Sequence, residues 1–358
     1  MEKEIRFISP IDGDMLNAND GITVTDGTLI TQVKITAPAG SKIKVNGVTA
    51  KYTDGIFQAD VSLKNYENII EMVEGEHGYK ESITVFRLKN CVNKYRFSFN
   101  ANILVFKDIA KNADRYQSIF DNQYLGIMKQ VHDTYGAKIH LNIFYRTDGF
   151  NLSQMPDKFK DEWKANATWL ELSFSGLADE PDKPYIQAGY DEVLKDCALV
   201  KKEIRRFAGE EVMSHETTLH WGEATVEGCR ALKDSGYDVL AGYFNVDDDK
   251  APVSYYLNVD QRRNIKKRFI WRDNKENIIF VRLSLVVNTV KIEDIVPHLD
   301  NIKKTYNPGL IDLMIHEHYF QPDYFAYQPD YREKIFTAVK WAVDNGYTPG
   351  FLKECVFE

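Results

Sequence analysis

The sequence predicts two modules: a small all-β sandwich over residues 1–90 and a larger β/α barrel over residues 91–358. Three observations predict them. The first stretch alternates apolar and polar side chains with period two. The remainder alternates short apolar runs with segments of helical period. The 358 residues also exceed what one ordinary core organises.

The β module is justified strand by strand. Val33 and Ile35 alternate with Gln32, Lys34 and Thr36, and Ile43 and Val45 alternate with Lys42 and Lys44. Asn46-Gly47 and Asp54-Gly55 stand where two-residue hairpin turns require positive φ. Further strands are expected over 56–63, 68–73 and 82–88, and no 3.6-period segment interrupts them. About seven short strands within about 90 residues make a sandwich.

From about Lys94 the period changes. Buried strands are expected over 95–99, 138–145, 169–174, 239–244, 278–287 and 310–315. Helices are expected over 103–110, 116–135, 156–165, 190–207, 224–235, 292–306 and 330–345. Strands alternating with helices imply a parallel sheet, and about seven repeats imply a closed or nearly closed barrel. Its chemistry belongs at the C-terminal strand ends.

Composition narrows the partners. A net charge of −8 repels phosphate backbones and anionic lipid, so neither nucleic acid nor a membrane surface is an expected partner. The basic run from Arg262 to Arg272 is read as a solvated face. Twenty Tyr and five Trp suit a carbohydrate ligand, because these rings stack on sugars. Cys91, Cys197, Cys229 and Cys355 form no CxxC and call for no disulfide framework. The Met1–Arg6 stretch lacks an apolar leader, and no run of about 18 apolar residues occurs, so a cytoplasmic location is expected.

The strand ends carry the candidate chemistry. They read Phe97-Ser98-Phe99-Asn100-Ala101, Ser173-Phe174-Ser175-Gly176-Leu177-Ala178-Asp179, His215 to Glu223, and Leu313-Met314-Ile315-His316-Glu317-His318-Tyr319-Phe320. With these endings, residues 91–358 resemble the polysaccharide deacetylase superfamily, whose NodB-homology fold is a distorted (β/α)7 barrel. The order SPIDGDMLN…VKITAPAGSKIKVNGVTAKYTDGIFQADVSLKNYENII in the first module resembles bacterial immunoglobulin-like domains found beside carbohydrate-active enzymes.

The deacetylase resemblance implies hydrolysis of an N- or O-acetyl group by metal-bound water. In the family an Asp pair supplies a base and a metal ligand, HxxxH supplies two more ligands, an Arg-containing motif orients the base, and LxxH supplies the general acid. Leu313-Met314-Ile315-His316 matches LxxH. The Asp pair reads Asn100-Ala101, and Ser175 and Asp179 stand at the two histidines. Thr218-Leu219-His220-Trp221-Gly222 matches the Arg motif only through Trp221 and Gly222. Asn100 cannot act as a carboxylate base, Ala101 has no donor, and Ser175 is a weak ligand, so the family's metal site is dismantled in this sequence.

Other residues offer alternatives. His316 and His318 are two apart on a predicted strand, sharing a face with Glu317 opposite, and His220 could join them. The three either hold one divalent metal such as zinc or hydrogen-bond within a polar rim. His215 to His220 mimics HExxH but is one residue too long, which on a helix sets the histidines about 140° apart. After His318, the aromatic stretch with its repeated Gln-Pro-Asp-Tyr is either a sugar-binding wall or a loop tucked under the last helix.

The candidate catalytic positions are therefore His316 and Asn100. Candidate substrate contacts are Ser175, Asp179, His220, Trp221, Tyr319 and Tyr324, and candidate metal ligands are His316, His318 and His220. Two functions compete: a carbohydrate-directed, deacetylase-like hydrolase with altered or lost metal chemistry, and a non-catalytic sugar-binding protein on the same barrel.

Overall fold

A computed structural model describes residues 5–76, 78–247 and 253–357. Met1–Glu4, the start of the stretch searched for a leader, lies outside them. The chain is mixed α and β and divides into two compact units. One comprises Met1–Val92 with Ile270–Asn277 and Glu354–Glu358; the other comprises Asn93–Phe269 and Ile278–Lys353. No helix among the described residues is long and apolar enough to cross a membrane. All four cysteines are buried, and none is joined in a disulfide.

The first unit is built from two sheets. In one, Arg6–Ser9, Leu29–Thr36, Ile56–Leu63 and Lys51–Thr53 lie side by side, all antiparallel. In the other, Glu67–Glu74 pairs antiparallel with both Lys80–Arg87 and Ile43–Val45. The period-two pattern explains the core, since Val33, Ile35, Val45, Ile70, Met72 and Val85 are wholly buried while the residues between them face outward. Asn46-Gly47 and Asp54-Gly55 take positive φ at both residues, so each hairpin turns where its dipeptide allows it. A 3₁₀ turn, Ala18–Asp20, is the one helical element described before Val92; Asn17 caps it, a local signal the strand pattern hides.

The segment Ile270–Asn277 belongs to this unit through specific contacts. Trp271 bridges Asp14 and donates its indole N–H to the Asp12 carbonyl at 2.8 Å. Gly13 makes the approach possible, because a Cβ there would sit 1.9 Å from the Arg272 carbonyl oxygen.

The second unit is organised by parallel strands. Leu170–Gly176, Ile139–Phe144, Lys94–Asn102, Leu310–His316 and Leu285–Val286 lie in that order. Glu216–Thr217, Val239–Gly242 and Ile278–Arg282 form a second parallel run. Backbone contacts connect the two runs at both margins: Leu172 bridges Met213, Leu283 N–H donates to the Gly242 carbonyl, and Ser284 N–H donates to the Asp312 carbonyl.

The first strands of this unit are buried at nearly every position, yet they alternate in chemistry. Phe97, Phe99, Ile139, Leu141, Leu172 and Phe174 form one set. The alternate set is polar: Arg96, Ser98 and Asn100; His140 and Asn142; Glu171, Ser173 and Ser175. The interior is therefore a hydrogen-bonded polar column, rooted on Arg96. Its guanidinium donates to Glu216 at 2.7 Å, to both oxygens of Asp312 at 3.0 and 3.1 Å, and to His140 Nδ1 at 2.5 Å.

Helices Tyr190–Phe207 and Ile292–Tyr306 occupy the expected ranges. The helix expected over 116–135 is split, because Ser118 and Asn122 each cap a new start, giving Ile119–Asp121 and Gln123–Tyr135. The strand expected over 278–287 is interrupted between Arg282 and Leu285, where Leu283 and Ser284 turn their N–H groups to other strands. The basic run is not a uniformly solvated face. Asn258 caps a helix, Val259–Arg268, within which Arg262 is buried and donates to the Asn245 carbonyl at 2.9 Å.

Candidate functional site

A cavity of about 490 Å³ opens beyond the C-terminal ends of the parallel strands. Asn100, Ser175, Asp179, His220, Trp221, His316, His318, Tyr319 and Tyr324 all line it. Their convergence follows from register. Asn100 and His316 are partners on adjacent parallel strands, and Ser175 sits near the end of the Leu170–Gly176 strand. Directly after Asn100 the strand bulges, with Ala101 at φ 60°, which shifts the pairing with Ile139–Phe144 before it resumes at Asn102.

Each side chain is held by named partners. Asn100 Oδ1 accepts from Asn142 Nδ2 at 2.8 Å. Ser175 Oγ donates to the Thr218 carbonyl at 3.2 Å. His220 Nε2 bonds the Asp179 carbonyl at 2.8 Å, and its ring meets Phe144 edge-on at 4.9 Å. Trp221 has φ 63° and stays 37% exposed, so a strained backbone presents an indole face to solvent.

The strand through His316 ends there, and Glu317–Phe320 is a 3₁₀ turn rather than more strand. Glu317 does point away from its neighbours. Its carboxylate accepts from the Ile103, Leu104 and Val105 N–H groups at 2.7, 2.9 and 2.6 Å. It thereby caps helix Leu104–Lys111, whose own N-cap residue, Ile103, has no side-chain acceptor. Burial pushes the Glu317 carboxyl up to about 7, against those three donors.

His316 Nδ1 lies 3.1 Å from Asn288 Oδ1. Burial, with His318 and His220 as further causes, pushes His316 down to about 3; burial also lowers His318 and His220. A neutral imidazole lacks, near neutral pH, the extra proton that the general-acid role implied by LxxH requires.

The His316, His318 and His220 trio shares the cavity. His316 and His318 rings are 5.4 Å apart, and His220 turns Nε2 to a backbone carbonyl. Among the described residues, no group of three or more His, Cys, Asp or Glu is arranged to hold a metal ion. The positions the deacetylase resemblance would use fit no better. Asn100 gives its oxygen to Asn142, Ala101 has no donor, and the Ser175 hydroxyl is spent on a carbonyl. The HExxH mimic is a short strand, Glu216–Thr217, followed by a 3₁₀ turn from His220 to Gly222.

The rings of the aromatic stretch divide between the cavity and the protein interior. Tyr319 and Tyr324 line the cavity, their rings 5.3 Å apart in a T-shaped pair, with His318 packed against both. Phe320 instead tucks between Tyr124 and Tyr331. Gln328 anchors the loop by donating to the Asn288 carbonyl at 2.8 Å.

Sequence reasoning missed Tyr243, Asn288 and Thr218. Tyr243 lines the cavity and is 44% exposed; its place just past a strand could have found it. Asn288 follows the interruption that splits the expected 278–287 strand, so no local signal marks it. Thr218 lines the cavity with its Oγ1 buried and without a hydrogen-bond partner, a property only the packing reveals.

No family model and no curated protein matches this chain. Among solved structures it is similar to a 4-α-glucanotransferase from Thermococcus litoralis, with 12% identity and a TM-score of 0.45; the match covers 70% of this chain but 37% of that one. It is similar to a candidate polysaccharide deacetylase from Mycobacterium smegmatis at 13% identity and TM-score 0.41, covering 72% of this chain and 92% of that one. A candidate α-galactosidase from Bacteroides fragilis matches at 10% identity and TM-score 0.27, covering 96% of this chain and 79% of that one. Likenesses this faint carry neither family nor activity.

Proposed function

We propose that this chain is a carbohydrate-directed protein whose cavity binds a neutral sugar without the metal chemistry of the deacetylases. The parallel strands would close as a distorted (β/α)7 barrel over residues 91–358, and the first 90 residues would form an immunoglobulin-like sandwich. The backbone contacts at both margins of the parallel runs favour closure.

The observation that carries the proposal is the composition of the cavity wall. Trp221, Tyr243, Tyr319 and Tyr324 offer aromatic faces, Asn100 and His316 offer uncharged polar groups at the strand ends, and Asp179, Glu180 and Asp182 stand at the same wall as hydroxyl acceptors. That mixture suits a sugar, which has apolar ring faces and hydroxyl edges. A volume of about 490 Å³ is within the range of small-ligand sites.

A hydrolytic variant of the same reading would use His316 as base. It is the second reading because, among the described residues, no carboxylate is bonded to the imidazole, which Asn288 holds instead. Without a carboxylate or metal, activation of water by an imidazole this weakly basic is slow.

The test is isothermal titration calorimetry with a panel of neutral methyl hexopyranosides and short oligosaccharides. Binding is expected, with Trp221→Ala weakening it about tenfold through loss of a stacking face. Absence of binding across the panel would overturn the proposal. Acetate release from acetylated sugars, assayed in parallel, separates the hydrolytic reading from binding alone.

A further inference from the structure

The direction of each hydrogen bond in the polar column follows from groups whose roles are invariant. A guanidinium can only donate. Arg96 Nη2 therefore donates to His140 Nδ1, which leaves His140 Nε2 protonated and donating to Ser173 Oγ at 2.8 Å. Ser173 Oγ, now accepting, gives its own proton to Asn142 Oδ1 at 2.8 Å. A second invariant donor agrees: the backbone N–H of Thr218 also donates to Asn142 Oδ1, at 2.9 Å. The Asn142 oxygen is thus assigned twice, so its Nδ2 is the atom that donates to Asn100 Oδ1.

That bond settles which end of Asn100 meets the cavity. With Oδ1 committed to Asn142, the N–H₂ end remains for a ligand, and Asn100 lines the cavity. The residue at this place presents donors, whereas an aspartate there would present a lone pair.

The same logic applied to His316 yields the opposite polarity. Asn288 Oδ1 accepts the backbone N–H of His316 at 3.0 Å, which identifies it as the oxygen, and it also faces Nδ1 at 3.1 Å. An amide oxygen can only accept, so Nδ1 carries the proton, and in the neutral ring Nε2 carries a lone pair. Among the described residues, no carboxylate is bonded to the ring to hold a second proton.

Asn100 and His316 are register partners on adjacent strands, about 4.8 Å apart along the hydrogen-bonding direction. Both also line the cavity, so one ligand group entering it lies beside the two. Only a group with a lone pair and a proton on the same atom satisfies a donor and an acceptor together. We propose that Asn100 and His316 form a polarity-matched pair that selects a ligand hydroxyl, with Asn100 Nδ2–H donating to its oxygen and His316 Nε2 accepting its proton. The pair deepens the sugar-binding proposal and rests on it, while its two hydrogen-bond polarities rest on protein atoms alone.

Two measurements test the pair. In ¹⁵N-histidine-labelled wild-type protein, long-range ¹⁵N–¹H correlation is expected to show His316 protonated at Nδ1 and bare at Nε2 near neutral pH. An Nε2–H tautomer overturns the proposal. The second measurement uses Asn100→Asp, which keeps an acceptor for Asn142 and the side-chain shape but turns an oxygen to the cavity; far-UV circular dichroism checks its fold. Binding of a methyl hexopyranoside is expected to weaken about tenfold or more. If Trp221→Ala weakens binding and Asn100→Asp does not, the pair is refuted while sugar binding stands. If no hexoside binds wild-type protein, sugar binding is refuted, and glycerol, which carries hydroxyls without a sugar ring, decides the pair. A glycerol-induced shift of His316 Nε2 in wild type but not in Asn100→Asp upholds it, and no shift in either overturns it.

Discussion

Replacing Arg96 by methionine should destabilise the second unit strongly at alkaline pH and less at acidic pH. Arg96, Glu216 and Asp312 are all fully buried, and one guanidinium serves two carboxyls and His140. Burial pushes Glu216 and Asp312 each up to about 7, even though Arg96 pulls both down. Methionine fills similar space but removes the guanidinium bonded to both carboxyls. Removing one partner from a buried ion pair costs about 3–5 kcal/mol. For a unit of this size that corresponds to a fall in melting temperature of roughly 6–20 °C. The sign with pH follows from the direction of the shifts. A carboxyl whose folded pKa is raised contributes stability that is fully present below its ordinary range and lost as pH rises through about 7. Without Arg96 both groups rise further, so the penalty should be largest at about pH 8 and shrink towards about pH 5, where both carboxyls can be neutral. Circular dichroism melts of wild type and Arg96→Met at the two pH values measure it. A variant that melts with wild type at the higher pH, or loses more at the lower, would refute the reasoning.

Three further outcomes are expected. Glu317→Ala should cost about 3 kcal/mol or more in guanidinium denaturation, because three N–H groups at the start of helix Leu104–Lys111 lose their acceptor; a loss below about 1 kcal/mol would mean that water replaces the carboxylate. Metal analysis after dialysis against zinc should find less than one equivalent per chain, and His316→Ala should leave that figure unchanged, since among the described residues no three or more His, Cys, Asp or Glu are arranged to hold a metal ion; stoichiometric zinc lost on that substitution would contradict the geometry. A ¹⁵N titration should find His316 neutral down to about pH 4, its pKa being pushed down to about 3 by burial. A depressed pKa of this kind contributes stability above the ordinary histidine range and loses it as pH falls towards about 3, so a His316 midpoint near 6.5 would contradict the burial.

Much of the site was legible because its signals are local. Strand ends can be read from period changes, and in a parallel sheet such ends share one side, so Asn100, Ser175, His220, Trp221 and His316 could be grouped before any coordinates. Asn46-Gly47 and Asp54-Gly55 likewise announce their turns through backbone preferences confined to two residues. The split of the 116–135 helix lay within reach, since Ser118 and Asn122 are ordinary caps. The interruption after Arg282 did not, because it depends on where Leu283 and Ser284 find acceptors on other strands.

By itself, then, the sequence determined the change of period near residue 90, the alternation of strands and helices beyond it, and the absence of an Asp pair and an HxxxH segment at the strand ends. Only tertiary structure decided what the buried polar residues do. Ser98, Asn142 and Ser173 look like interruptions of apolar strands until Arg96 is bonded to residues 120 and 216 positions away. The donor end of Asn100 and the acceptor nitrogen of His316 are set through that column and through Asn288. The physical reason is that periodicity reports which face of an element is buried, whereas hydrogen-bond polarity depends on the identity of partners that chain distance does not reveal.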